Sequence, residues 1–248
     1  MKIVFLGATK GMGRALARAL AEQGHQLFLL GRDAENTQRS ARDLEVRSQG
    51  QTTHSVGTAV VDLLRPETFE PALAEAEQQL GGFDTVVVTA GLYATQAAME
   101  QDPELTARVL SANFTNTVLF CEAARKRLLA RGGGTLCVFS SVAGERGRKP
   151  VALYGAAKAG LSRYLEALDH KYRSAGLRTV TVKPGFVKTS MTAGLAPPPF
   201  AGTPDAIVPA VMRAMTRGTP VVYVPFMWRW VMLVIRWLPR FVMRRVGF

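Results

Sequence analysis

Tyr154 and Lys158 lie four residues apart in a stretch that the sequence predicts to be helical. Side chains at this spacing share one face of a helix, so the phenol and the ammonium would point into one cleft. A nearby cation favours the phenolate and moves the Tyr pKa from about 10 toward neutral pH. Ser141 would reach the same cleft from a loop and hydrogen-bond a substrate oxygen. Such a set is suited to proton transfer at an alcohol or ketone oxygen, although the Tyr–Lys spacing also occurs on solvated helix faces.

The N-terminal segment is typical of a dinucleotide-binding unit. An apolar strand from Lys2 to Leu6 runs into a glycine-rich turn, and a helical pattern then continues to Glu22. Glycines let the backbone approach a pyrophosphate, and the helix N-terminus presents free N–H groups to it. The spacing is G-x-x-x-G-x-G rather than G-x-G-x-x-G, but its place directly after a strand strengthens the signal. We expect the turn to bind the cofactor through Gly7, Thr9, Lys10, Gly11, Met12 and Gly13.

Charges near the second strand favour NADP(H). That strand, Leu27 to Leu30, ends just before Arg32, at the position where such folds bind the adenosine ribose. An acidic residue there binds the 2′-hydroxyl, whereas an Arg accommodates a 2′-phosphate. Arg32 and Lys10 together favour NADP(H) over NAD(H), although both could also be solvated surface charges. Later strand ends are expected to add adenine and ribose contacts at Asp62, Leu63, Ala90 and Gly91.

The alternation of strands and helices predicts a Rossmann-type, doubly wound, seven-stranded parallel sheet with helices on both faces. The remaining strands are expected at His54–Val61, Asp84–Val88, Thr135–Phe139, Leu177–Lys183 and Pro220–Val224. Helices are expected at Asp33–Gln49, Pro66–Leu80, Pro103–Ala130, Val151–Ala175 and from Pro204 onward. This organisation assigns residues 1–225 to one catalytic domain and 226–248 to an extension. The Pro-rich loop at 190–202 is a candidate lid over the site.

The charge distribution argues against nucleic acid as a partner. The net charge is +12, but Asp205 is the last acidic residue and seven arginines follow it. Residues 1–205 carry only a mild excess of 24 basic over 19 acidic side chains, so the basic character is local. The two cysteines have no metal-ligand spacing, and the N-terminal apolar run is too short for a signal peptide. We therefore expect a cytoplasmic protein without a metal. A homodimer or homotetramer is a separate expectation.

The motifs, taken in order, resemble those of the short-chain dehydrogenase/reductase family over nearly the whole chain. They are Gly7-x-x-x-Gly11-x-Gly13, Asp62, Ala90-Gly91, Asn113, Ser141, Tyr154-x-x-x-Lys158 and Pro184-Gly185-x-Val187-x-Thr189. The resemblance implies that Tyr154 is the general acid/base and that Lys158 lowers its pKa and binds the nicotinamide ribose. It also implies that Ser141 orients the substrate oxygen and that Asn113 supports a proton relay. One departure is Thr89, where the family often has Asn before the Ala-Gly pair.

A narrower resemblance concerns the substrate. The run from Ala143 to Arg146, together with the Arg- and Trp-rich C-terminus, is similar to decaprenylphosphoryl-ribose keto-reductases. These reduce the 2-keto sugar of a polyprenyl-phosphate-linked pentose, so an NADPH-dependent reductase of such a ketone is expected. One alternative is a membrane-associated reductase of a lipid ketone, such as ketosphinganine or an acyl ketone. Another is a non-catalytic NADP(H)-binding sensor or scaffold, which the complete catalytic set disfavours.

Residues 226–248 contain three Trp, three Phe and five Arg and no acidic residue. Arginines interrupt the apolar run, so it does not read as a membrane-spanning helix. The pattern predicts a basic amphipathic helix, broken at Pro239, that lies on the anionic inner face of the cell membrane. Two other interpretations stay open, in which this segment covers the substrate pocket or is buried in a dimer interface.

Overall fold

The computed structural model describes residues 1–48, 55–194 and 196–246. Its strands are β1 (Lys2–Leu6), β2 (Gln26–Gly31), β3 (Gly57–Val60), β4 (Thr85–Val88), β5 (Gly134–Phe139), β6 (Leu177–Pro184) and β7 (Val221–Val224). They form one parallel sheet in the order β3-β2-β1-β4-β5-β6-β7. Because β1 pairs with β2 on one side and β4 on the other, the winding reverses there and a crevice opens at the carboxyl ends.

Helices cover both faces of the sheet. They are α1 (Gly11–Glu22), α2 (Ala34–Arg47), α3 (Phe69–Leu80), α4 (Gln96–Gln101), α5 (Pro103–Leu110), α6 (Asn116–Ala130), α7 (Ala152–Tyr172), α8 (Pro204–Arg217), α9 (Trp228–Trp237) and α10 (Arg240–Arg245). Val4 and Leu6 of β1 pack in one core with α3, α6 and α7. Ile3 and Phe5 point to the other core, with α1, α2 and α8. This double burial explains why the strands are almost continuously apolar.

The predicted fold class is confirmed, and the differences lie in the connections. The helix expected over Pro103–Ala130 is present, but a π-helical turn at Ser111–Thr115 lies between its two α-helical parts, α5 and α6. Helix α4 was not expected; the Thr95 side chain caps it by accepting a hydrogen bond from the backbone N–H of Ala98. The predicted helix to Gln49 and strand from His54 extend partly over residues 49–54, outside the described residues.

The C-terminal segment forms two helices, α9 and α10, which are separated at Leu238 and Pro239 as the proline predicted. Met232 and Ile235 of α9 are buried against Val142, so one face of this helix packs on the loop that follows β5. Across the described ranges, none of the helices has the length and apolar character needed to span a bilayer.

Candidate active site

Two glycines bring the serine loop against the helix that carries the Tyr and Lys. Ser141 follows β5, and its side chain caps the next turn by accepting a hydrogen bond from Ala143 N at 3.1 Å. A Cβ on Gly144 would lie 2.6 Å from the backbone N of Ala159 in α7, and one on Gly155 would lie 2.8 Å from Ala143 O. Only glycine permits this approach, which places Ser141 beside the first turn of α7.

The surroundings of the Tyr154 side chain favour its neutral phenol form over the phenolate. Burial raises the pKa of Tyr154 to about 12, and the interaction with the Ser141 hydroxyl only partly offsets that rise. Tyr93 packs edge-on against the phenol ring with a centroid distance of 5.5 Å. The expectation that Lys158 lowers this pKa is therefore not met, because desolvation of the phenol dominates. The phenol is protonated at neutral pH and can donate its proton.

Lys158 lies beneath Tyr154 with only 4% of its surface exposed. Its Nζ donates a hydrogen bond to the carbonyl of Phe139 at 3.0 Å and lies 5.8 Å from the centre of the Tyr154 ring. Burial lowers the pKa of Lys158 to about 8, so the ammonium form loses its proton just above physiological pH. The Lys158 ammonium and the Tyr154 ring therefore lie close to one another on α7.

Asn113 lies in the π-helical turn and is almost fully buried. Its Nδ2 donates to the carbonyls of Leu92 at 2.6 Å and Val109 at 2.9 Å, while Oδ1 has no partner among the described residues. A Cβ on Gly91 would lie 2.6 Å from this Oδ1 and 3.8 Å from Lys158 Nζ, so both atoms border the same small space. An orphaned buried acceptor beside an ammonium is suited to holding a water in a proton relay.

The crevice between β1 and β4 holds a cavity of about 280 Å³. It is lined by twelve of the predicted cofactor residues: Gly7, Thr9, Lys10, Gly11, Met12, Gly13, Arg32, Asp62, Leu63, Ala90, Gly91 and Thr189. A Cβ on Gly7 would lie 2.6 Å from Ala90 N, and one on Gly13 would lie 2.2 Å from Gly7 O. The turn thus needs both glycines, and with its helix N-terminus it fits the diphosphate of a dinucleotide.

Thr89 substitutes structurally for the Asn that is frequent in the family. Its hydroxyl donates a hydrogen bond of 2.9 Å to the carbonyl of Gly7. This bond ties the end of β4 to the glycine turn. At this position a hydroxyl therefore makes the contact in place of an amide.

The acidic residue that follows Arg32 is Asp33, and its carboxylate already accepts hydrogen bonds within the protein. Asp33 caps α2, with one carboxylate oxygen accepting from Asn36 N and the other from Asn36 Nδ2. The backbone hydrogen bond from Asn36 is the main reason that the pKa of Asp33 is lowered. Arg32 and Lys10 are both exposed at the rim of the cavity, and neither forms an ion pair within the described ranges. Near the end of β2, two cations are therefore available to bind a ligand, whereas the Asp33 carboxylate is engaged in capping α2.

A second, mostly apolar cavity of about 570 Å³ contains Ser141 and Tyr154. It shares Met12, Thr189 and Met191 with the first, so the two cavities adjoin at these residues. The predicted cofactor residues Pro184, Gly185 and Val187 line this second cavity and not the first. Gly185 has a further role there, because a Cβ at this position would lie 2.3 Å from the Trp228 indole.

The C-terminal segment closes one wall of the second cavity through Trp228, Val231 and Ile235. The expected lid loop contributes Met191, Thr192, Pro198, Pro199 and Phe200, and Trp228 Nε1 donates to Phe200 O at 3.3 Å. Helix α9 is also held by Glu145, whose side chain accepts hydrogen bonds from Lys183, Tyr223 and Arg236. The interpretation that this segment covers the pocket is therefore correct for the inner face of α9.

Sequence reasoning missed several cavity residues: Tyr93, Arg148, Trp228, Val231 and Ile235. Tyr93 follows the Ala-Gly pair by two positions, which was a usable signal. Arg148 lies in the basic run Arg146 to Lys149, and nothing in its spacing separates it from a solvated charge.

Comparison with known proteins places the chain in a family. A family model described as short chain dehydrogenase matches residues 1–198. An uncharacterized oxidoreductase of Mycobacterium tuberculosis is 32% identical over 244 residues, which are 98% of this chain and 96% of that protein. Carbonyl reductase family member 4 of Danio rerio is 31% identical over 193 residues, 78% of each protein. A short-chain type dehydrogenase/reductase from Mycobacterium ulcerans has a similar solved structure, with a TM-score of 0.81 at 18% identity over 90% of this chain and 87% of that one.

The chain therefore belongs to the short-chain dehydrogenase/reductase family. It is accordingly an oxidoreductase that uses a nicotinamide cofactor, NAD(P)(H). None of these relatives is described as acting on a lipid-linked sugar, so the narrower resemblance to keto-sugar reductases stays a hypothesis.

Proposed function

We propose that the protein is an NADPH-dependent reductase that transfers hydride to a ketone. The observation that carries this proposal is a buried phenol, Tyr154, which lies beside Ser141 in a mostly apolar cavity that adjoins the cofactor crevice. The similarity to a carbonyl reductase supports the reductive direction. The candidate ketones are a lipid-linked keto-pentose, on the narrower sequence resemblance, or another lipid ketone. A non-catalytic sensor would not need all four of Asn113, Ser141, Tyr154 and Lys158 in this arrangement.

The reaction follows from the side chains. A reduced nicotinamide cofactor, held by the glycine turn and the residues of the first cavity, would supply the hydride for the carbonyl carbon. Ser141 holds the carbonyl oxygen, and Tyr154 donates its proton as negative charge develops on that oxygen. The Lys158 ammonium stabilises the phenolate that results, because the interaction acts in a site with little water. Asn113 Oδ1 holds the water through which Lys158 and Tyr154 regain a proton from solvent.

The preference for NADPH rests on Arg32 and Lys10. A phosphate at the ribose 2′ position would receive charge-assisted hydrogen bonds from two exposed cations. The 2′-hydroxyl of NAD(H) needs an acceptor instead, and both oxygens of the Asp33 carboxylate are engaged by Asn36.

Tyr154→Phe tests the chemistry. This variant should lose nearly all NADPH oxidation with a panel of ketones that includes a polyprenyl-phosphate keto-pentose. Its affinity for NADPH, measured by fluorescence titration, should stay within about twofold, because the hydroxyl rather than the ring is removed. Retention of most of the turnover by Tyr154→Phe would refute the assignment of Tyr154 as the acid.

We also propose that the outer face of α9 and α10 docks on an anionic membrane surface. Large apolar side chains are exposed there: Phe226, Met227, Trp230, Leu233, Val234, Trp237 and Phe241. Exposed arginines surround them, and no acidic residue follows Asp205 in the chain. If this face paired with the same face of a second copy, the arginines of the two copies would meet, and this segment has no acidic residue to pair with them. Aromatic and basic residues together favour a lipid surface with negative headgroups.

Matched valines test this surface. Val234 on α9 is 63% exposed and Val46 on α2 is 64% exposed. Val234→Glu should reduce co-sedimentation with vesicles that contain phosphatidylglycerol, and Val46→Glu should not. Vesicles of phosphatidylcholine alone, or high salt, should bind less of the wild type because the arginine contribution is lost or screened. If Val234→Glu instead converted a dimer to a monomer in sedimentation velocity without changing vesicle binding, the face would be a subunit interface. The homodimer or homotetramer itself stays a prediction.

A further inference from the structure

The second cavity, which contains Ser141 and Tyr154, is the proposed substrate cavity. Arg148 is the only charged side chain among the described residues that line it. Its Nε is fully buried and has no hydrogen-bond partner within the described ranges. Desolvation lowers the pKa of Arg148. A guanidinium nevertheless keeps its charge at any pH that the protein meets. The cavity therefore contains a permanent cation for which the described chain provides no counter-charge.

The two neighbouring cations show what a structural role would look like. Arg146 donates from its guanidinium to the carbonyl of Leu238 at 2.8 Å, and Lys149 Nζ donates to the carbonyl of Arg244 at 2.6 Å. Both tie the start of α7 to the C-terminal segment. Arg148, between them, makes no such bond. A half-buried cation without a partner reduces stability, so it points to a partner that arrives with the ligand.

The rest of the lining is apolar. Val142, Val151, Phe186, Val231 and Ile235 surround the space that Arg148 shares with Tyr154. A ligand that fills this cavity therefore needs three features: a carbonyl for Tyr154, an apolar body and one negative charge.

We propose that the substrate is an amphiphilic ketone whose anionic group, a phosphate ester or a carboxylate, pairs with Arg148. This inference rests on the proposed ketone reductase and narrows its substrate class. It favours a lipid-linked keto-sugar phosphate or a keto acid over ketosphinganine, because the amine of ketosphinganine is a cation and would repel Arg148. Guanidinium binds both anions through paired N–H donors, so the experiments separate phosphate from carboxylate.

Binding of non-reactive probes tests the cation without requiring catalysis. Decyl phosphate, decanoate and decanol are titrated into the full-length protein by calorimetry. Of the two anions, the one that the wild type binds more tightly should bind Arg148→Gln roughly tenfold more weakly or worse. The affinity for decanol should change less than about twofold. Arg163→Gln is the matched control, since it removes the same charge from an exposed side chain on α7. Equal loss for decanol and for the anions, or no loss for any probe, would overturn the proposal.

Measurements of ketone reduction separate the proposed anion site at Arg148 from the proposed reductase activity. A hexadecyl ether of dihydroxyacetone phosphate and its dephosphorylated form serve as ketones, and 3-oxododecanoate and its methyl ester serve as a second pair. Arg148→Gln should raise KM for the charged member of a pair while kcat changes little, and Arg148→Lys should restore part of the loss. Reduction of all four ketones with no charge preference would refute the anion site but keep the reductase. Anion binding that depends on Arg148, without reduction of any ketone, would keep the site and refute the reductase.

Stability provides a further check on folding. Because Arg148 lacks a partner, Arg148→Met should unfold at the same temperature as the wild type or a higher one. A lower unfolding temperature would mean that Arg148 stabilises the fold through a contact of its own, contrary to the proposal.

Discussion

The buried ammonium of Lys158 should set the upper pH limit of the reduction. Burial lowers the pKa of Lys158 to about 8, while that of Tyr154 is raised to about 12. The phenol thus stays protonated across the working range, and the ammonium is the group that titrates. At pH 9 roughly one molecule in ten retains the charge on Lys158, so kcat/KM should be about tenfold below its plateau.

The assay is kcat/KM for the best ketone of the panel, from about pH 6 to about pH 10, at saturating NADPH. Lys158→Met should be slow at every pH and should lack the basic limb. Should the limb persist in Lys158→Met, or lie near the ordinary Lys pKa of about 10.4, the reasoning would be refuted.

The same burial gives an independent stability signature. Lys158 binds its proton more weakly in the folded state, with a pKa of about 8, than in the unfolded state, near 10.5. Between these values the unfolded chain holds more protons, so the free energy of unfolding rises with pH. Relative to Lys158→Met, the wild type should gain about 3 kcal/mol as pH passes through this window. Urea denaturation at several pH values measures the difference, and a constant difference would contradict the assigned burial of the charge.

Three further substitutions test other parts of the site. Arg32→Asp should lower kcat/KM with NADPH by roughly 10- to 100-fold and leave NADH nearly unchanged, as steady-state kinetics with both cofactors would show. Gly91→Ala puts a Cβ 2.6 Å from Asn113 Oδ1 and should slow turnover by displacing the relay water, whereas Gly147→Ala, with nothing within 4 Å, should not. Glu145→Gln leaves Lys183 without its buried partner and should cost about 3 kcal/mol in urea denaturation, against less than about 0.5 kcal/mol for the exposed Glu166→Gln. Equal losses for Glu145→Gln and Glu166→Gln would show that the buried Glu145–Lys183 pair contributes no more to stability than an exposed pair.

Features encoded by local spacing could be predicted from the sequence. The glycine turn, the seven strands and the Tyr154–Lys158 face each depend on residues within about two helical turns of one another. The break at Pro239 belongs to the same class, because proline acts on its own turn.

Features that depend on residues distant in sequence could not be predicted in this way. The pKa of Tyr154 is raised because elements distant in sequence bury the phenol. The spacing of Tyr154 and Lys158 gives no information about that burial. The π-helical turn that positions Asn113 has no marker in the residues themselves. The role of Arg148 could not be predicted either. Only the fold shows that Arg146 and Lys149 have hydrogen-bond partners and that Arg148 Nε has none among the described residues.

Helix α9 shows why the alternatives offered for the C-terminus were not exclusive. Its inner face, with Met232 and Ile235, packs on Val142 and closes the substrate cavity. Its outer face exposes Val234 and Trp237. Sequence periodicity separates these two faces but cannot say which one meets protein. Because one helix supplies both the cavity wall and the exposed apolar surface, a lipid ketone leaving a bilayer would have only the thickness of that helix between membrane and cavity. Deleting residues 226–248 would therefore remove both functions together, and only substitutions on the outer face can separate them.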